Sequence, residues 1–419
     1  MGFNVVFMVL DTLREDYASG LGKLEGMGFV RYENAIAPSN WTIPSHVSMF
    51  TGRLPSSHGM HEDRDTHASN FGKLSAANLA VERKGILGEL RDRGYAVQAF
   101  TANPLVSPVF GFPFPECDVF DEAGEVTEVR RYVRKAGGSW PRGAMRMVRD
   151  GKTGALARRT YKAVKRRAPR LLDRSPLEKG SRYIIDSLES WKVREPFMLF
   201  VNVMEAHQPY SWNDGKPGAE ATYCYLTGKP YRLKLDWGSK YRKHAELATS
   251  RAVDIAESAA RLPKNTLFVV TSDHGQLLGD QGKYDHGYFL DDALLRVPLY
   301  VKYPEGVKPF SQREGHVSTS EIPFLIESVL YGARAELGSA CVAAESFGPQ
   351  WPVMDFAKDD GERRALAPAY RHKVKIYTHG GDFTLDASTG AIEDRKDGVT
   401  DKDVAACLKS LPLGGARPA

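Results

Sequence analysis

Cysteine is scarce in this chain. Four occur in 419 residues, Cys117, Cys224, Cys341 and Cys407, far apart and without a CxxC pair. That spacing argues against a zinc knuckle or a disulfide scaffold, and reduced thiols are the expectation. Long apolar runs are missing too. No stretch approaches the 18 or so residues that a membrane-spanning helix needs. Met1-Gly2-Phe3 passes directly into the apolar run Val5 to Leu10, with no basic segment or small-residue cleavage site before it. No signal peptide is therefore expected. Val6 stands where a myristoylation pattern needs Ser or Thr. The expected location is cytoplasmic, with room for peripheral attachment to a membrane. Internal repeats are absent.

What is present is ordinary in bulk and uneven in place. Hydrophobic residues make up 42% and charged residues 26%, as in a soluble globular protein. The length allows one large α/β domain and a smaller piece. The formal net charge is +5, yet residues 128–174 hold sixteen Lys or Arg against three acids, a local +13. The rest of the chain is correspondingly acidic. Such a segment reads either as a solvated cap over a site or as a surface for a polyanion or an anionic membrane. Sequence-specific nucleic-acid binding is not expected.

Apolar runs of strand length recur with helical stretches between them. The predicted strands are Asn4 to Leu10, Tyr95 to Thr101, Phe197 to Met204, Thr266 to Thr271 and Val297 to Tyr303. Helices are expected near 84–93, 178–192 and 237–261. This alternation predicts a doubly wound, mostly parallel sheet flanked by helices. Two antiparallel strands, Lys373 to Thr378 and Asp382 to Leu385, a further short strand after Ala387 to Ile392, and a terminal helix from Asp401 to Leu411 predict a small α+β piece. The expected division is 1–335, with a basic helical insertion at about 125–176, and 336–419.

Polar residues cluster where strands end, the place where parallel sheets build their ligand crevices. Asp11 follows the first strand. Asp273-His274-Gly275 follows the strand Thr266 to Thr271. A hard oxygen beside an imidazole suits a divalent metal, and Asp11, Asp273 and His274 form a three-ligand set from two strands. Thr42 precedes Pro44, which is compatible with the first turn of a helix. Thr42 is then either a helix cap or a hydroxyl at an anion-binding N-terminus, where a metal would make it a nucleophile.

Four segments together resemble the sulfatase branch of the alkaline phosphatase superfamily. They are NVVFMVLDTLREDY, TIPSHVSMFTGRLPSSHG, TSDHGQLLGDQGKYDHGYFLDDALLRVPLYVKYP and KVKIYTHGGDFTLDASTG. The likeness implies an alkaline-phosphatase-like fold and leaves only about 110–195, 212–240 and 335–365 unplaced. It implies an ester hydrolase or a phosphoryl or phosphoglycerol-type transferase with one metal ion held by Asp11, Thr42, Asp273 and His274. Mn²⁺ suits such an O,O,O,N shell, with Ca²⁺, Mg²⁺ or Zn²⁺ as alternatives. It further implies that His207, in an H-x-P-Y segment, contacts the substrate or protonates the leaving group. His286 would hold a non-bridging oxygen or assist departure, and Arg53 would support the nucleophile loop. His46, Asn103 and Lys283 are weaker substrate-side expectations, and Arg14 is a further one. Departures from the sulfatase pattern matter. Thr42 replaces the Cys or Ser that becomes formylglycine, His46 replaces an arginine, His286 a lysine and Thr12 an aspartate. These changes resemble threonine-nucleophile phosphodiesterases and phosphoglycerol transferases. The alternatives are a literal sulfatase and a non-catalytic binding protein on the same fold.

Overall fold

The computed structural model describes residues 3–62, 85–119, 140–149, 178–210, 218–231, 236–333 and 336–411. The basic segment 125–176 therefore lies outside the described residues except for the helix Trp140–Arg149, which leaves Met145 and Val148 exposed beside its arginines.

The main sheet has seven strands: β1 Asn4–Leu10, β2 Val30–Tyr32, β3 Ala96–Thr101, β4 Glu116–Val119, β5 Phe197–Val203, β6 Thr266–Thr271 and β7 Leu299–Lys302. Their spatial order is β2-β7-β6-β1-β5-β3-β4. Strands β6, β1, β5, β3 and β4 run parallel, while β7 is antiparallel to both β6 and β2. The mostly parallel sheet expected from the pattern is present. β1 is buried along its whole length because its alternate residues enter two cores. Val5, Phe7 and Val9 join one apolar cluster, and Val6, Met8 and Leu10 join the other. A strand with both faces covered must read as a continuous apolar run.

Helices fix the sheet from both sides. Helix α1, Thr42–Thr51, inserts Phe50 into an aromatic group with Phe200 at 5.2 Å and Phe7 at 5.8 Å between ring centroids. On the other face lies the long helix Trp237–Ser258. It is capped by the Asp236 carboxylate, which accepts the Ser239 amide at 3.1 Å. It buries Trp237, Tyr241, Ala245, Ala248 and Ala252, one stripe at helical spacing. From that stripe the Tyr241 hydroxyl donates to the Thr12 carbonyl at 2.7 Å and accepts the Arg14 amide at 2.9 Å. The helix thereby holds the loop that follows β1.

A second, antiparallel sheet comprises β8 Val342–Ser346, β9 Lys373–Thr378, β10 Gly381–Asp386 and β11 Ala391–Glu393, in that order. Helix Asp401–Ser410 packs its Val404 and Cys407 onto it. Here one expectation is corrected. Cys341 and Cys407 form a disulfide, with Cα atoms 5.4 Å apart across 66 residues of chain. Their distance along the sequence concealed this, because the strand beginning at Val342 and the terminal helix meet only in the folded state. Cys117 and Cys224 are free. No described helix is long and apolar enough to cross a membrane.

Candidate active site

Register brings the site together. β1 and β6 pair with Val9 opposite Thr271, so two residues further along Asp11 and Asp273 stand abreast beyond the strand ends. On the other flank Leu10 lies opposite Val203 of β5, and Asn202 of β5 lies opposite Thr101 of β3. Asn103 then emerges beside Asp11. The ligand atoms of Asp11, Asp273 and His274 lie within 4.8 Å of one another, and all three residues are fully buried.

Each member presents one atom to the centre and has the other tied back. Asp11 Oδ2 accepts from Asn103 Nδ2 at 2.7 Å. Asp273 Oδ1 accepts the Thr12 and His274 amides at 3.1 and 2.9 Å. His274 donates Nδ1–H to the Gly275 carbonyl at 2.8 Å, which leaves Nε2 with a bare lone pair. Asp11 Oδ1, Asp273 Oδ2 and Thr12 Oγ1 are buried without a hydrogen-bond partner. Buried polar atoms are rarely left so. Burial pushes Asp11 up to about 6, against hydrogen bonding from Asn103 and the charge of His286. Burial and then Asp11 itself push Asp273 well above the carboxylate range, while burial holds His274 well below the usual imidazole range. Two desolvated carboxylates and a neutral imidazole aimed at one point fit a divalent cation, which would relieve both the repulsion and the unmet valence.

Thr42 completes the group. It is the first residue of α1, with Trp41 as the cap, so its side chain is not used in capping. Its Oγ1 lies 3.4 Å from His274 Nε2, and the first turn of α1 leaves amide N–H groups unpaired within the helix. Thr12 is held at φ 60°, a left-handed conformation that is strained for a β-branched residue. The hydrogen bonds from its amide to Asp273 and from Tyr241 to its carbonyl hold it there. Gly275 is packed so closely that an added Cβ would stand 2.0 Å from the Ala293 carbonyl oxygen and 2.9 Å from Arg14 Cγ. Gly275→Ala is expected to displace the loop that carries Asp273 and His274, lowering stability by about 1–3 kcal/mol and weakening any stabilisation by added Mn²⁺. A thermal melt with and without Mn²⁺ reads both, and an unchanged melt would show that the loop tolerates the methyl.

Two further histidines face this centre. The His274 and His286 rings are 4.7 Å apart, and those of His207 and His286 5.3 Å. Nδ1–H of His286 donates to Gln276 Oε1 at 2.7 Å and lies 3.0 Å from Asp285 Oδ1. Burial opposes ionisation of Asp285, but the charge of His286 and hydrogen bonds from His286 and Gln208 outweigh it and hold it at about 2. His207 donates Nδ1–H to the Gln208 carbonyl at 2.6 Å. Burial and the neighbouring His286 push it down to about 3, so it is neutral near neutral pH. His46, pushed down to about 4 by burial, donates to the Thr42 carbonyl at 2.9 Å and lies 3.5 Å from Asp273 Oδ2.

The expected substrate-side residues divide. Asn103 and His46 join the centre as supports of Asp11 and Thr42. Arg53 does not join it. It is exposed just beyond the C-terminus of α1, about 15 Å of helix away from Thr42. Lys283 is bound to Asp291 at 2.8 Å, in a separate polar cleft of about 450 Å³ between the 281–292 loop and the second sheet. Arg14 is clamped by Asp16 and Asp280. Asn202, Gln276 and Asp285 support the centre and had no role from sequence. A lone polar residue inside the apolar run FMLFVNV was the one available sign of Asn202.

Trp41, next to Thr42, donates its indole N–H to Glu62 Oε2 at 2.6 Å. Burial pushes Glu62 up to about 7, despite hydrogen bonds that include Phe347 N and this indole. A group raised in the fold contributes stability that is full below its unfolded value near 4.5 and lost as pH rises through about 7. Glu62→Gln is therefore expected to flatten the melting temperature between pH 5.5 and 8.5, recovering on the order of 3 kcal/mol at the alkaline end. Equal slopes for wild type and variant would contradict this.

A family model described as Sulfatase matches residues 4–326. A low-salt glycan biosynthesis sulfotransferase, Agl7, of Haloferax volcanii is 31% identical over 116 residues, which is 26% of this chain. The aligned part spans about a quarter (27%) of that protein. The phosphonate monoester hydrolase of Silicibacter pomeroyi has a similar structure, with TM-score 0.55, 15% identity and coverage of 97% of this chain and 93% of that one. The crystal structure of a putative sulfatase from Bacteroides thetaiotaomicron superposes with TM-score 0.58 at 11% identity, over 98% and 90% of the two chains. At these identities the likeness establishes the alkaline-phosphatase-like α/β fold. With a family model spanning both strands that carry the carboxylates, and helix α1 between them, the chain belongs to the sulfatase family.

Proposed function

We propose that this chain cleaves or transfers phosphate esters with Thr42 as its nucleophile, beside one divalent cation held by Asp11, Thr42, Asp273 and His274. Membership of the sulfatase family supports ester-bond hydrolysis or transfer. The observation that carries the finer reading is the placement of Thr42 Oγ1, 3.4 Å from the unprotonated Nε2 of His274, which accepts from it, beside two buried carboxylate oxygens without partners. A divalent cation in that shell, best Mn²⁺, supplies charge that acidifies the Thr42 hydroxyl and neutralises phosphoryl oxygens.

The protein's own groups then account for the atoms. Thr42 Oγ bonds to phosphorus while the bond from phosphorus to the departing alcohol oxygen breaks. The proton lost from Thr42 ends on that alcohol, relayed by His286, whose charge Asp285 can balance. Neutral His207 orients water or an acceptor alcohol by accepting its proton. That oxygen bonds to phosphorus, the Thr42–phosphorus bond breaks, and the proton returns to Thr42. Amides at the start of α1 face the charge that develops. The net +13 of residues 128–174 favours a polyanionic substrate or one borne on an anionic membrane. Vesicle binding that is lost with added salt tests that part.

A sulfuric ester hydrolase is the second reading, favoured by the family itself. Acid-quenched turnover separates the two on the tryptic peptide that ends at Arg53. Phosphorylated Thr42 is the expected product. A resting peptide carrying an aldehyde in place of the Thr42 side chain would replace this reading with the sulfatase one.

A further inference from the structure

Directly after the basic segment, Glu178 to Ser181 wraps around the turn that carries His207. Glu205 follows β5 and is fully buried. Its Oε1 accepts the amides of Lys179 and Ser181, both at 3.0 Å. It thereby closes the start of the helix Ser181–Ser190. Lys179 returns the contact. Its Nζ donates to the Glu205 carbonyl at 3.2 Å and to the His207 carbonyl, and it lies 3.2 Å from His244 Nδ1. His244, on the long helix, donates Nδ1–H to that same Glu205 carbonyl at 2.9 Å. The turn is therefore gripped on its backbone by an ammonium and on its buried carboxylate by two amides. One residue of it, His207, faces His286 across the site.

We infer that Lys179 is a positioning residue for His207, fixing the 205–207 turn so that the imidazole meets the substrate beside His286. The inference rests on the reading of His207 as a site residue. Lys179 Nζ donates to the carbonyls at both ends of the 205–207 turn, so one side chain sets the path of the backbone that carries His207.

The test compares Lys179→Met, Lys179→Arg, His207→Asn and the double variant Lys179→Met/His207→Asn, all as full chains. With ¹³C-labelled histidine, the His207 signal is assigned by its loss in His207→Asn. Lys179→Met is expected to move that signal, Lys179→Arg to restore it largely, and the signal of His58, hydrogen-bonded to Ser48 on α1, to stay in place. This reading needs no substrate, so it stands or falls separately from Thr42 chemistry. On whichever ester turns over, Lys179→Met should lower kcat about 10- to 100-fold with KM within about threefold. In the His207→Asn background it should cost nothing more. An unmoved His207 signal in Lys179→Met, or additive losses in the double variant, would overturn the inference.

Discussion

Thr42→Ala is expected to lower kcat for a phosphate ester by at least about 10³-fold, whereas Thr42→Ser keeps measurable activity. The size of the effect follows from position. The hydroxyl is the nucleophile of the proposed mechanism and also an oxygen of the proposed cation shell, so alanine removes both roles. Nothing else should change. Thr42 is a helical residue with Trp41 as the cap, and its side chain makes no capping hydrogen bond. Alanine is favourable in a helix. The variant should therefore melt close to wild type. Steady-state kinetics with a thermal melt of the same samples checks the prediction, and an alanine variant that retains turnover would remove Thr42 from the chemistry.

Asp273→Asn is expected to move stability and activity in opposite directions. In the cation-free protein, Asp11 and Asp273 are carboxylates raised first by burial, and the charge of Asp11 raises Asp273 further. Neutralising one should make the cation-free protein melt higher. The Asn oxygen can still accept the Thr12 and His274 amides that Asp273 Oδ1 accepts. Turnover, by contrast, should fall at least about 10²-fold at fixed Mn²⁺. The stabilisation of wild type by Mn²⁺, about 2.7 kcal/mol at a hundredfold excess over Kd, should also disappear. Melts in chelator and in Mn²⁺ give both signs in one experiment. A cation-free Asp273→Asn protein less stable than wild type would mean that the carboxylate pair is held by something other than a missing cation.

How much of this was legible in the sequence depends on the range of the cause. β1 could be recognised because a strand covered on both faces has to be apolar throughout. Asp11 and Asp273 could be recognised because the ends of parallel strands face one crevice, and the Val9–Thr271 register then aligns them. Thr42 was found from Pro44 and the family likeness, since the spacing alone also fits a plain cap. The remainder was set by contacts distant in sequence. Arg53 and Lys283 lie in segments that look functional, but the length of α1 carries the first away and Asp291 holds the second. Gln276 and Lys179 act through partners on other elements, and no local pattern marks them, whereas Asp285 stands in a polar cluster beside His286 that gives it no role of its own. The Cys341–Cys407 bond is of the same kind, made between a strand and a helix that are neighbours only after folding.

The central claim is that Thr42 and a divalent cation act together on a phosphate ester. Its most direct test is hydrolysis of bis-p-nitrophenyl phosphate, p-nitrophenyl phosphate and p-nitrophenyl sulfate by wild type and Thr42→Ala, each with Mn²⁺ and with chelator. The account predicts phosphate-ester turnover that requires both Mn²⁺ and Thr42, and that exceeds turnover of the sulfate ester. Turnover of the sulfate ester alone, or phosphate-ester turnover indifferent to Thr42, would contradict it.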